Sequence, residues 1–334
     1  MSRSGIFSSL FASAPVPAAV EITARRINGV SLAGYAFPPA IAAHVSEPLP
    51  DGLVTPSLNA ANVHDHEALT AAVRAAVDRL SPRRRRIALV LPDTVAKVSL
   101  LRFEKVPSRI SELDQLIRWQ MRKAAPFRIE DAQVGWTLSG PAAGGGDEYL
   151  VVLSRRDVIE SYERACEAAG VHAGLVDIAT LNVVNAALAL RDSPVAGDWL
   201  LIHIAPGYAT IVVVRAGRLI FFRNRQTEGS GSPDLTDLVH QTAMYHEDRL
   251  GGGGFSRVLL AGASLDGIEE MGGPRRQIEE RLGVGVESVD LRGAVTFRDR
   301  LQPSQQLIDN LAPAVGILLR ERSAGRHTAE RLAG

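Results

Sequence analysis

A turn of small residues, Ala205-Pro206-Gly207-Tyr208, lies inside the apolar stretch Leu200–Phe222, and Thr210 follows it by two positions. Strand, tight turn and strand in that order can present successive backbone N–H groups to a phosphate, and a glycine admits the positive φ such a cradle needs. Residues Ala18–Leu32 repeat the pattern more weakly, with Thr23-Ala24-Arg25-Arg26 between the apolar pairs Val20, Ile22 and Ile27, Val30. Oxyanion binding is the chemistry such a turn could do.

Other chemistries find little in the text. His64 and His66 share a loop with Asp65, but two histidines without a further ligand at metal spacing read as a solvated loop. Neither Gly-x-Ser-x-Gly nor the P-loop spacing occurs. Gly251–Gly254 follows a helix instead of opening one, so it reads as a C-terminal cap. Trp119, Trp136 and Trp199 sit at helix or strand positions where packing is expected. Lys plus Arg and Asp plus Glu both number 37, so no global field points to nucleic acid. The single Cys166 can form no intramolecular disulfide, which fits a reducing compartment.

The elements that must hold these turns are legible from periodicity. A helix is expected from Asp65 as N-cap, with Leu69, Val73, Val77 and Leu80 along one face. Ile87–Leu91 and Lys97–Phe103 read as strands, and Ser111 with Asp114 resembles a capping box for a helix carrying Leu113, Ile117 and Met121. Val134, Trp136 and Leu138 alternate as a strand that pairs with Leu150–Leu153. Helices are then expected over Arg155–Ala169, closed by Gly170, and over Ala179–Leu190. After the central meander come a helix over Asp234–Leu250 with Leu238, Val239, Thr242 and Tyr245 on one face, and a strand at Arg257–Leu260. That strand runs into Ala261-Gly262-Ala263-Ser264 and another helix; further helices start at Pro274 and near Pro313. The run Arg83–Arg86 reads as a solvated loop, with acidic lipid headgroups as an alternative contact. At the N-terminus, the short apolar Ile6-Phe7, Leu10-Phe11 pattern is broken by serines and reads as a flexible leader, not a signal peptide.

Two halves that each open with a strand–turn–strand meander, and a late strand–small turn–helix, resemble the superfamily of actin, Hsp70 and the sugar kinases. More specifically, the chain resembles the type IV pilus assembly protein PilM family from about Ala18 to Arg320. The telling stretches are LLRFEKVPSRISELDQLIRWQMRKAAPFRIEDAQVGWTL, then EYLVVLSRRDVIESYERACEAAGVHAGLVDIATLNVVNAAL, and the closing DNLAPAVGILLRER. The resemblance implies an α/β, actin-like two-lobed fold with duplicated meander halves and a small inserted α+β subdomain. The expected segments are a leader over 1–17, first lobe over 18–86, insertion over 87–153, return over 154–197, second lobe with closing helix over 198–322, and a loose tail over 323–334.

The same resemblance implies ATP or ADP with Mg²⁺, held by two phosphate loops and an adenosine turn, and this chain departs from the family pattern at all three. The first loop, close to Asp-Ile-Gly-Ser-Ser-Ser-Val-Lys in the family, aligns with Glu21, Ile22, Thr23, Ala24, Arg25, Arg26, Ile27 and Asn28. The second, Asp-Ile-Gly ending in Thr, aligns with His203, Ile204, Ala205, Gly207 and Thr210, and the adjacent glycines of the adenosine turn with Gly262 and Ala263. Side chains now fill space the glycines left open, His203 is a poor substitute for an acid toward a hard cation, and Asn28 removes a charge that Arg25 and Arg26 could supply. Nucleotide contact is therefore expected to be weak or lost, with Glu21, Thr23, Arg25, Gly207, Thr210, Gly262 and Ala263 as its remnants. No catalytic or metal-ligating residue is assigned. What the resemblance implies instead is a cytoplasmic scaffold, peripheral to the inner membrane, whose groove beside the insertion takes the N-terminal peptide of a PilN-like membrane protein among other pilus or secretion platform components. The alternatives are an active actin-like ATPase or kinase and a cytoplasmic domain like that of the secretion protein GspL, which normally continues into a membrane span absent here. The oligomeric state is left open.

Overall fold

The computed structural model describes residues 16–34, 37–81, 85–142, 144–189, 197–227, 235–265, 274–297 and 303–333, the side chains of 274 and 324–333 excepted. The chain begins with strands β1 (Ala18–Ile22), β2 (Arg26–Ala33) and β3 (Ala40–Pro48), then α1 (His66–Leu80) and β4 (Arg86–Leu91). Next come β5 (Ala96–Phe103), α2 (Ile110–Met121), β6 (Ala132–Pro141) and β7 (Asp147–Arg155), followed by α3 (Arg156–Ala168), β8 (His172–Ile178) and α4 (Ala179–Leu188). The second half holds β9 (Asp198–Ala205), β10 (Tyr208–Arg215), β11 (Arg218–Gln226), α5 (Leu235–Leu250), β12 (Arg257–Ala261), α6 (Pro274–Leu282), β13 (Val286–Ser288), β14 (Thr296–Phe297) and α7 (Gln305–Ala333).

The sheets repeat one plan. A six-stranded sheet runs β14-β3-β2-β1-β4-β8 and a five-stranded one β11-β10-β9-β12-β13. Each is an antiparallel meander whose first strand pairs in parallel with the strand that follows the first helix of its half. Residue alternation then assigns faces. Ala18, Val20 and Ile22 of β1 pack outward with α1 and α3, while Ala19 faces the central layer. In β9, Leu200, Ile202 and Ile204 pack outward against α5 and α6, while Trp199 and Leu201 face inward. Between the sheets lie α4 and α7, whose Val183, Ala186, Val315 and Leu318 join Val90, Leu201 and Val212 in one buried core.

Several expectations need correction. Ile87–Leu91, placed at the start of the insertion, is β4, hydrogen-bonded between β1 and β8, so the separate three-stranded sheet β5-β7-β6 begins only at Ala96. A continuous apolar run looks the same whichever buried sheet it joins. Ser111 does not cap α2: Arg109 holds the N-cap without a side-chain bond. Asp114 instead accepts from Arg118 Nε at 2.7 Å and Trp136 Nε1 at 3.0 Å. Trp119 faces solvent at 64% exposure, and on α5 Tyr245 is 41% exposed while His246 is the buried residue. Helix α7 starts at Gln305, passes through Pro313 and continues past Arg322 into the segment read as a loose tail. The proline removes one backbone donor, a loss offset here because Leu311, Ala312, Ala314, Val315 and Ile317 are all buried around it.

The leader lies outside the described residues except for Val16 and Pro17, and Val16 is already buried. Also outside are Arg83 and Arg84, Glu228–Asp234 and the helix expected after Ser264. Among the described residues no helix is long and apolar enough to cross a membrane. Asp65 caps α1 as expected, accepting the Ala68 N–H at 3.0 Å. Asp65→Ala is expected to cost about 1 kcal/mol, read as a lower urea midpoint with an unchanged slope.

Candidate functional site

The alternation that buries Ala19, Val30, Leu201 and Val212 also turns Glu21, Asn28, His203 and Thr210 toward the central layer. All four are buried, and two of them, His203 and Thr210, join a hydrogen-bonded network around a residue from elsewhere in the chain, Asp93, in the single 3-10 turn after β4. The Asp93 carboxylate accepts the Thr180 N–H at 2.9 Å and the Thr210 hydroxyl at 2.6 Å, and it also accepts the Thr180 hydroxyl. Two relays converge on it: Asn224 Nδ2 donates to Thr210 Oγ1 at 2.8 Å, and His203 Nδ1 lies 2.6 Å from Thr180 Oγ1. With the Thr180 proton committed to Asp93, the histidine is the donor in that contact, which defines its tautomer. The Asp93 N–H donates to the Tyr208 hydroxyl at 3.3 Å.

Beside this centre, Asn28 Nδ2 donates to Glu21 Oε2 at 2.9 Å, and Ser46 Oγ donates to Asn28 Oδ1 at 2.7 Å. Burial pushes Glu21 up to about 7; the Asn28 bond opposes this and the Asp93 charge adds to it. Burial also raises Asp93, against the pull of the Thr180 and Thr210 donors. The same desolvation holds His203 down at about 4, so the imidazole is neutral near pH 7. Two carboxylates and a neutral histidine thus share a dry site. Asp177, a further acid whose charge raises Asp93, is itself ion-paired with Arg320. Among the described residues no group of His, Cys, Asp and Glu could hold a metal ion.

The remaining expected contacts sit differently. Thr23 spends its hydroxyl on its own turn, accepting the Arg26 N–H at 2.9 Å and donating to the Arg26 carbonyl at 3.0 Å. Arg25 is exposed on that turn. Gly207 has φ 82° and its carbonyl accepts the Thr227 N–H at 3.0 Å. Gly262 has φ 79° and lies so close to the Ile204 carbonyl that a Cβ would overlap the oxygen. Ala263 is buried beside it, and the Ser264 N–H donates to Asp309 at 3.0 Å. The structure therefore places Thr210 on Asp93 and Glu21 in a neighbouring bond with Asn28, while Thr23 bonds within its own turn, Gly207 accepts from Thr227, and Gly262 and Ala263 pack just after β12. Sequence reasoning missed Asp93, Thr180 and Asn224. One signal was present: an acid one proline beyond the apolar run Ile87–Leu91, at the carboxyl end where α/β sheets place their sites.

Duplicated meander sheets enclosing a helical layer, with a polar cluster at the facing turns, define an actin-like ATPase fold. A Bacteroides thetaiotaomicron protein with that fold and unknown function superposes with a TM-score of 0.50 at 9% identity, over 83% of this chain and 91% of its own. The chain belongs to the family of type IV pilus assembly protein PilM, whose model matches residues 19–248. A solved PilM-PilN type IV pilus biogenesis complex matches with a TM-score of 0.74 at 19% identity, over 92% of this chain and 98% of the other. No curated protein sequence matches the chain.

Proposed function

We propose that the protein is a scaffold of a type IV pilus or related secretion platform, acting at the cytoplasmic face of the inner membrane. It takes the N-terminal peptide of a PilN-like membrane protein beside the inserted sheet. The observation that carries this reading is the family match, whose span of residues 19–248 includes β5 to β7 as well as both meanders. Half-buried Leu100 and Leu150 of the inserted sheet, with Phe222 of β11, form an apolar seam against the main core.

Hydrolysis has no part in this reading, because the residues present do not fit a nucleotide with Mg²⁺. A hard cation needs carboxylate oxygens. At the second turn His203 offers a neutral nitrogen, and at the first Glu21 is buried and its pKa raised to about 7. The Thr180 donors at the start of α4 already serve Asp93, so they are committed and not open to an incoming phosphate.

Titration calorimetry with a synthetic PilN-like N-terminal peptide is expected to show saturable binding, and a flat titration at about millimolar peptide overturns the peptide reading. ATP with Mg²⁺ is expected to give no saturable heat. Tight ATP binding abolished by His203→Ala or Gly207→Val would instead support the actin-like ATPase reading.

A further inference from the structure

We propose that the Asp93 carboxylate is a built-in oxyanion: it sits between the start of α4 and β10, uses the donors an external anion would need, and bonds the two halves of the fold together.

Three features of the site argue for this over an ordinary buried aspartate. First, the donors are those of an anion site: a backbone N–H in the first turn of α4, where the helix dipole favours negative charge, and two hydroxyls. The N-cap of α4 is Ile178, which has no side-chain acceptor, so the helix depends on an oxygen supplied from outside itself. Second, the donors come from both halves. Thr180 opens α4 in the first half, whereas Thr210 lies on β10 in the second and is itself backed by Asn224 of β11. A cap for α4 alone would need nothing from β10. Third, the orientation is consistent throughout. The hydrogen-bond chains from Asn224 through Thr210, and from His203 through Thr180, both end on Asp93 as acceptor. Tyr208, immediately after the second turn, closes over the same residue through the Asp93 N–H.

In this arrangement the two halves are held together by the chain's own carboxylate, and closure does not depend on a bound ligand. The inference stands apart from the peptide-binding reading, and its test uses no peptide.

The test is chemical rescue of Asp93→Ala. Removing the carboxylate leaves the donors in place around a small cavity, so sodium acetate is expected to raise the melting midpoint of the variant by about 5 °C over sodium chloride of equal ionic strength, saturably. Wild type, whose site is filled, is expected to respond equally to the two salts. Equal responses of the variant to acetate and chloride overturn the proposal. If Asp93→Ala yields no folded protein, Thr210→Val is read by amide hydrogen exchange. The bridge predicts about tenfold faster exchange both in β9–β10 and at the start of α4, because losing one hydrogen bond to the shared carboxylate loosens both sides. Faster exchange confined to β10, with the start of α4 unchanged, overturns it.

Discussion

Glu21→Gln is expected to stabilise the protein by about 3 kcal/mol at pH 8 and to leave its stability almost unchanged near pH 4.5. Glu21 is buried, and its carboxyl is pushed from 4.5 to about 7 in the folded protein, chiefly by desolvation. Across that interval the folded protein keeps a proton that the unfolded chain has released. The glutamate's contribution therefore falls as pH rises through the window, then levels off above it. A glutamine keeps the shape and can still accept the Asn28 bond, but has no charge to bury. His203 works in the opposite direction, since it is held at about 4 and an unfolded histidine takes up its proton earlier as pH falls. For this reason the informative quantity is the difference between variant and wild type in urea unfolding at each pH. A difference that does not grow between pH 5 and 8 would mean that Glu21 is not a desolvated acid.

Gly316→Ala is expected to destabilise by about 3 kcal/mol, although alanine is normally the better helix former. At this point α7 crosses α4 with backbones nearly touching. A Cβ on residue 316 would overlap the Asn182 carbonyl oxygen and lie 2.7 Å from its carbon and 3.1 Å from the Ala186 nitrogen. Relief would require the two helices to separate, and both are buried between the sheets, so the strain spreads into the shared core. Gly253→Ala is the control, because its added Cβ meets nothing within 4 Å. Urea midpoints of the two variants are expected to part sharply, and equal midpoints would show that the helix crossing has slack.

The contrast between Gly316 and Gly253 also shows what a chain reading can reach. Gly316 is a lone glycine in helical text and Gly253 one of the four that follow a helix, and nothing in the neighbouring letters says that Gly316 touches another backbone. The meanders are a different case. Apolar residues two apart in Leu200–Ile204 and Ala18–Ile22 carry the pleat of their strands, so element type is a local property, whereas both faces are buried and only packing tells inward from outward. The limits of the insertion are not local, since β4 reads as a strand whether it joins the main sheet or the small one. Nor was the end of α7, where packing around Pro313 overrides the usual meaning of the residue.

By itself, the sequence determined the duplicated strand meanders, most of the helices and the family, because each is written in residue types close together along the chain. Only the tertiary structure decided what fills the centre. Asp93, Thr180 and Thr210 come from three separate segments, and they meet because parallel pairing of β1, β4 and β8 brings the turn after β4 to the start of α4, opposite the inward face of β10. A hydrogen bond requires positions matched to within a few tenths of an ångström, and for residues this far apart along the chain only the packed core supplies that match.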